Sequence, residues 1–191
     1  MTAPPDARDD AALVSAALAG DARAFTTLMR RHKETIYRFI RRYVGDADEA
    51  FDLTQETFVA AWSGLNKFDV RRPLPAWLRR IALNKCRDWS RRRQVRKFFF
   101  RAEQIDAAAA DRIAAPNDAH DPDDESHLSV LDQAVAALPS QLKEPLLLTH
   151  FDGLSHQAAG EILGLSAKAV EMRVYRARQA LADAVRAPDE G

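Results

Sequence analysis

Between positions 71 and 101 the chain carries Arg71, Arg72, Arg79, Arg80, Lys85, Arg87, Arg91, Arg92, Arg93, Arg96, Lys97 and Arg101, with Asp88 as the single acid. Cations at that density suit a polyanion, because each can neutralise a phosphate and release a counterion. A second basic group, Lys168, Arg173, Arg176 and Arg178, lies near the C-terminus with Glu171 in its midst. The stretch 102–127 inverts the charge, with Glu103, Asp106, Asp111, Asp118, Asp121, Asp123, Asp124 and Glu125 against Arg112 alone. The 28 basic and 28 acidic residues therefore cancel only as a sum of opposed blocks. A partner meets the blocks, not the sum.

Other chemistries find little support. There is no glycine-rich phosphate loop, no nucleophile–base–acid pattern and no metal-ligand cluster, so neither a catalytic residue nor a cofactor is expected. Cys86 is the lone cysteine, which excludes an internal disulfide and a multi-cysteine zinc site. His150 and His156 flank Asp152 without a third convincing ligand, so all three are expected to be solvated polar residues. No apolar run approaches the roughly 20 residues of a membrane span. The N-terminal "MTAPPDARDD" lacks a basic-then-apolar pattern, and a soluble, cytoplasmic protein is expected. "RRRQVRKFFF" sets cations beside aromatics, as a membrane-surface helix would. Three consecutive phenylalanines cannot share one helical face, so membrane contact ranks below DNA binding or core packing.

The elements that must position these groups are helical. Strand alternation is absent and apolar residues recur at helical spacing. Helices are expected over 9–19, stopped at Gly20, and from Asp21 to Gly45, with Phe25, Leu28, Met29, Ile36, Phe39, Ile40 and Tyr43 as the apolar stripe. A third starts at Asp46 with Glu49 three residues on and points Leu53, Phe58, Ala61, Trp62 and Leu65 inward. "NKFDVRRPLP" reads as a loop. A fourth helix runs from about 75 into the basic run with Trp77, Leu78, Ile81, Ala82 and Trp89 on its apolar side. The acidic, alanine-rich stretch that follows reads as a flexible linker, with a helical turn or two near 104–114. Helicity resumes with Leu128, Leu131, Val135 and Leu138, halts at Pro139, and restarts at Ser140 with Pro145 distorting its first turn. The fold class is thus all-α: two small helical domains, 9–100 and 128–185, joined by a flexible acidic linker over 101–127.

"GLSHQAAGEILGLSAKAVEMRVYRARQAL" is the most informative stretch. Ser155 and Ser166 are N-caps and Gly164 is the break between two short helices, which makes a helix-turn-helix. Val170, Val174, Ala177 and Leu181 share the inner face of the second helix and must pack on Ala158, Ile162 and Leu163. The outer face presents Lys168, Glu171, Met172, Tyr175 and Arg178, with Arg173 and Arg176 on its flanks. Such a face fits the major groove of DNA.

This segment resembles region four of bacterial RNA polymerase sigma factors of the extracytoplasmic-function (ECF) subgroup, matching at Val170, Arg173, Arg176, Ala177 and Arg178. "DLTQETFVAAW", residues 52–62, resembles their region two, and "FDVRRPLPAWLRRIALNKCRDWSRRRQVR" the segment that binds and opens the minus-ten element. The resemblance implies a two-domain helical factor with no enzymatic activity of its own. Its partners would be core RNA polymerase (the β′ clamp helices and the β subunit), promoter DNA and a cognate anti-sigma factor, with no direct membrane insertion.

Site residues follow from the same resemblance. Asp52, Gln55 and Glu56 would dock on the polymerase. Arg71, Arg72, Trp77, Arg80, Asn84, Lys85, Arg87 and Arg91 would serve the minus-ten element, the loop 69–74 holding a flipped base. Lys168, Glu171, Met172, Arg173, Tyr175, Arg176 and Arg178 would read the minus-thirty-five element. Primary sigma factors place two adjacent tryptophans where this chain has Trp77 and Leu78, which implies weaker melting and a more stringent promoter. Trp77 shares a face with Ile81, which favours a core position over a melting wedge. The acidic linker would thread the RNA exit path, mimicking RNA's charge. Glu171 has two readings: a local pair with Lys168 or an orienter of a flanking arginine, and an acceptor from a cytosine amino group with Met172 on a thymine methyl. The rivals are a stand-alone helix-turn-helix regulator and a protein-only helical adaptor.

Overall fold

A computed structural model describes residues 9–107 and 130–186, with side chains described for 9–96 and 131–184. Every regular element among them is helical. The first module comprises α1 (Asp10–Leu18), α2 (Ala22–Val44), α3 (Ala47–Gly64), a 3-10 turn (Leu65–Lys67) and α4 (Leu74–Ala107). The second comprises α5 (Val130–Ala137), α6 (Ser140–Leu146), a π-helical turn (Leu147–Phe151), α7 (His156–Leu163) and α8 (Ala167–Arg186).

Helix starts follow the expected caps. Asp9, Asp21 and Asp46 accept backbone N–H bonds from Ala12, from Arg23 and Ala24, and from Glu49. Each satisfies donors that would otherwise have no partner in the first turn. Gly45 closes α2 in the left-handed region at φ 81°, where a β-carbon would be strained. The first core joins Leu13 and Val14 of α1, Ile36, Phe39, Ile40 and Tyr43 of α2, Leu53, Phe58 and Ala61 of α3, and Leu78, Leu83 and Cys86 of α4. The second gathers Val135, Leu138, Leu146, Leu147, Leu148, Ala159, Ile162, Val170 and Ala177.

Two expectations about the helices need correction. Trp62 is 46% exposed, not core; it sits at the rim and tilts against Phe25 at 4.8 Å between ring centroids. On α7, which packs against α8, Ala159, Gly160 and Ile162 are buried and Ala158 and Leu163 half-buried. The irregularity at Pro145 lies after it, not in the first turn. Proline has no N–H to donate, the ladder widens over 147–151, and the Thr149 hydroxyl donates to the Pro145 carbonyl at 2.7 Å.

Helix α4 runs through Ala107, past position 100 and into the acidic stretch. The linker conformation expected over 108–127, the helical turn near 104–114 beyond Ala107, Leu128 and the side chains of Phe98, Phe99 and Phe100 lie outside the described residues. The two modules also pack against each other. Helix α5 and the π turn pack on α2, α7 touches α4, and α6 reaches across by side chains, with the Tyr43 hydroxyl donating to Ser140 Oγ at 3.3 Å. Among the described residues no helix is long and apolar enough to cross a membrane.

Candidate nucleic-acid interface

Helix α8 is held to α7 by a tight turn. Gly164 adopts φ 70°, and the Leu165 N–H donates to the Gly160 carbonyl at 2.9 Å. Ser166 then caps α8, accepting from the Ala169 N–H at 3.1 Å. With Val170 and Ala177 fully buried, helical spacing turns Lys168, Glu171, Met172, Tyr175, Arg176 and Arg178 out to solvent, and all six are exposed; Arg173 is half-buried. The Lys168 ammonium lies 2.9 Å from Glu171. That hydrogen bond and charge hold the Glu171 carboxyl below the usual carboxylate range. Gln179 donates to the Tyr175 hydroxyl at 3.3 Å. The face therefore offers cations for phosphates beside apolar atoms and hydrogen-bonding groups for base edges.

The loop before α4 is organised by Asp69. Its carboxylate accepts from the Arg71 backbone at 3.1 Å and from the Arg71 guanidinium at 2.9 and 3.1 Å, with Arg72 at 3.8 Å. These bonds, Arg71 first, lower the Asp69 pKa. Both arginines are exposed, so a phosphate can exchange for the carboxylate at little cost. Trp77 is half-buried and tilts against Phe68 at 4.9 Å, as its core-side spacing predicts.

Along α4, Arg80, Asn84, Arg87 and Arg91 recur at spacings of three and four and share one stripe. Arg80, Asn84 and Arg91 are exposed, with Arg91 pairing to Asp88. Lys85 does not join them. It sits about 100° or more around the helix from Asn84 and its ammonium meets Glu56 at 3.1 Å. Arg87 turns toward the second module: its Nε and Nη2 donate to Glu144 at 2.9 and 2.6 Å.

On α3, Asp52 and Gln55 are exposed while Glu56 is half-buried against Lys85. Sequence reasoning missed what adjoins them. Phe51, Val59 and Trp62 are exposed and, with Phe25, Met29, Phe58 and Gln55, line an apolar groove; the Lys33 ammonium sits 5.5 Å over the Phe51 ring. Positions 51, 55, 59 and 62 form a helical stripe, a signal present in the sequence but read as inward packing at Trp62. Asp152, expected to be solvated, is paired to Arg79 at 2.5 Å with both side chains largely buried. Burial nevertheless raises the Asp152 pKa.

Two family profiles match the chain: sigma-70 region 2 over residues 28–96 and sigma-70 region 4 over 128–181. The RNA polymerase sigma factor NccH of Alcaligenes xylosoxydans xylosoxydans is 39% identical over 173 residues, covering 90% of this chain and 92% of that protein. The ECF RNA polymerase sigma factor SigW of Bacillus subtilis is 31% identical over 170 residues, covering 85% and 89%. Among solved structures, CnrH in complex with the cytosolic domain of CnrY superposes with a TM-score of 0.68 at 33% identity, covering 94% of this chain and 99% of that one.

Proposed function

The chain belongs to the sigma-70 family of RNA polymerase sigma factors, in the ECF subgroup, and from that premise we propose that it joins core RNA polymerase and directs transcription initiation at its own promoters. It supplies recognition, and the polymerase supplies the chemistry. The observation that carries this reading is the pairing, in one chain, of an exposed helix-turn-helix face on α8 with a second basic stripe on α4 beside a loop.

Residues 9–100 serve polymerase docking and the minus-ten element, 128–185 serve the minus-thirty-five element, and 101–127 join them. Lys168, Met172, Arg173, Tyr175, Arg176 and Arg178 enter the major groove, with Glu171 among them. Arg71, Arg72, Arg80, Asn84 and Arg91 hold the displaced single strand, whose bases stack or flip while cations track its backbone. Asp52 and Gln55 dock on the β′ clamp helices. The adjoining groove at Val59 and Trp62 extends that surface, since Gln55 forms part of its wall.

The reading places the protein in the cytoplasm, where the polymerase is. It also includes a cognate anti-sigma factor: CnrH was solved holding a cytosolic domain of another protein. The test is transcription by core polymerase reconstituted with the purified chain on promoters selected from random DNA. A chain that neither binds core nor starts transcription at any selected promoter is not acting as a sigma factor. Binding DNA without core would favour a stand-alone regulator, and binding only protein an adaptor.

A further inference from the structure

Three grooves on the described surface set carboxylates among their cations: Glu56 stands with Arg91 and Arg92 in two of them, and Glu171 with Arg178 in the third. A fourth cleft breaks that pattern. It holds about 520 Å³ and lies between positions 89–94 of α4 and the corner where α5 turns into α6. Trp89, Ser90, Arg93, Gln94, Ser140 and Lys143 line it, and no carboxylate does.

Both cations are held in place without being neutralised there. The Arg93 guanidinium lies 5.1 Å over the buried Trp89 ring, and no carboxylate among the described residues pairs with it. The Lys143 ammonium donates to the carbonyls of Tyr43 at 2.9 Å and Ala136 at 2.5 Å. An ammonium has three protons, so one is left over. Glu144, next to it in the chain, is taken up by the Arg87 fork at 2.9 and 2.6 Å. Burial lowers the Lys143 pKa to about 8, and the Arg93 charge adds to that lowering. Two like charges thus share one cleft without a counter-ion. Ser140 Oγ accepts from Tyr43, which leaves its own proton to donate, and Gln94 adds an amide. Charge-assisted donors converging in this way suit the oxygens of a phosphate.

The cleft is separate from the surface assigned to the promoter strand. Arg93 sits about 180° around α4 from Asn84, at roughly 100° per residue. A strand lying on the stripe of Arg80, Asn84 and Arg91 therefore runs along the other side of the helix. The volume falls within the roughly 300–1,000 Å³ of small-molecule sites.

We propose that this cleft binds a small phosphorylated metabolite, its phosphomonoester dianion seated between Arg93 and Lys143 with Ser140 and Gln94 as further donors. The site goes beyond the sigma-factor reading and does not depend on it.

Calorimetric titration of the full chain tests it, in phosphate-free buffer at constant ionic strength, with ribose 5-phosphate and inorganic phosphate as probes. We expect one saturable site per chain, weakened at least about tenfold by Arg93→Gln and unchanged by Arg92→Gln, whose arginine lies outside the cleft. Both positions are exposed, so both variants should fold. From pH 7 to pH 9 affinity for ribose 5-phosphate should fall about tenfold, because Lys143 loses its proton while the ester, with a second pKa of about 6, stays a dianion. The other charged or titratable groups facing Lys143 are Tyr43 on α2, Cys86 and Arg93 on α4, and Glu144 on α6; burial pushes the Tyr43 phenol and the Cys86 thiol up, away from this range. Lys143→Met should bind weakly at both pH values and lose the pH dependence. Tighter binding of the ester assigns a metabolite, and equal binding upholds the site with free phosphate as its ligand. No saturable binding, an equal loss in Arg93→Gln and Arg92→Gln, or displacement of the probe by single-stranded DNA overturns the proposal.

Discussion

The carbonyl oxygen of Leu165 lies 2.5 Å from where a β-carbon on Gly160 would stand. Leu165 also returns its N–H to the Gly160 carbonyl at 2.9 Å, so α7 and the turn into α8 are in backbone contact. This contact sets the angle at which α8 is presented.

Gly160→Ala should therefore destabilise the second module. In an open helix the change would help by roughly 0.5–1 kcal/mol. Here the obstacle is backbone rather than a flexible side-chain tip, and forcing extra volume into such a site costs about 1–3 kcal/mol. The clash outweighs the propensity gain. Denaturant unfolding should show the loss, and affinity for minus-thirty-five duplex DNA should fall with it.

Glu171 is paired with Lys168 on an exposed surface, and the local-pair reading predicts a sequence-independent role. Glu171→Gln should leave thermal stability unchanged and tighten DNA binding about equally for all sequences, because a negative charge near the phosphates is gone and Lys168 is released. Selection from random DNA checks this. A relaxed preference of roughly fivefold or more confined to one base pair would make Glu171 a base reader instead.

Lys143 gives the stability of the folded chain a pH dependence. Burial lowers its pKa from 10.5 to about 8, with Cys86, Arg93 and Glu144 as the charged or titratable neighbours. Below pH 8 folded and unfolded chains both carry the proton. Between about 8 and 10.5 the unfolded chain binds more protons, so stability rises with pH. The gain from pH 7 to pH 9 should be about 1 kcal/mol relative to Lys143→Met. Above pH 9 the buried Cys86 thiol, whose pKa is pushed up, opposes the trend because only the unfolded chain releases that proton. Urea unfolding of both proteins across this range reads the difference.

Arg80→Ala should weaken binding of single-stranded minus-ten DNA by holoenzyme to a similar degree for every sequence. The slope of log affinity against log salt should flatten by about 0.7. A loss restricted to particular bases would assign Arg80 to base reading rather than to the backbone.

Trp62→Ala should spare folding, since the residue sits half-exposed at the rim, and should weaken capture of core polymerase about tenfold or more, as expected for an exposed aromatic anchor. Unchanged capture with an intact fold would remove the α3 groove from the docking surface.

Much of this protein was legible in the sequence because the signals are local. Helix caps at Asp21, Asp46, Ser155 and Ser166 act within three residues. The inward faces of α2 and α8 follow from a period that does not depend on what packs against them. The helix-turn-helix, its exposed outer face and the family resemblance all rest on such short-range order. What periodicity cannot report is which of two apolar sides is covered, and by what. Trp62 lies at the edge of the α3 stripe and was left exposed because α2 covers only part of that side. Lys85 and Arg87 look alike on a basic helix, yet one turns to Glu56 on α3 and the other to Glu144, 57 residues further along the chain. Glu144 and Asp152 carried no sequence signal, because a carboxylate's partner is set by tertiary packing and desolvation, not by its neighbours in the chain. The sequence by itself determined the helices and their chemical faces. Only the tertiary structure decided that the two modules pack on one another, and that Arg79 and Arg87 of α4 meet carboxylates of their own chain.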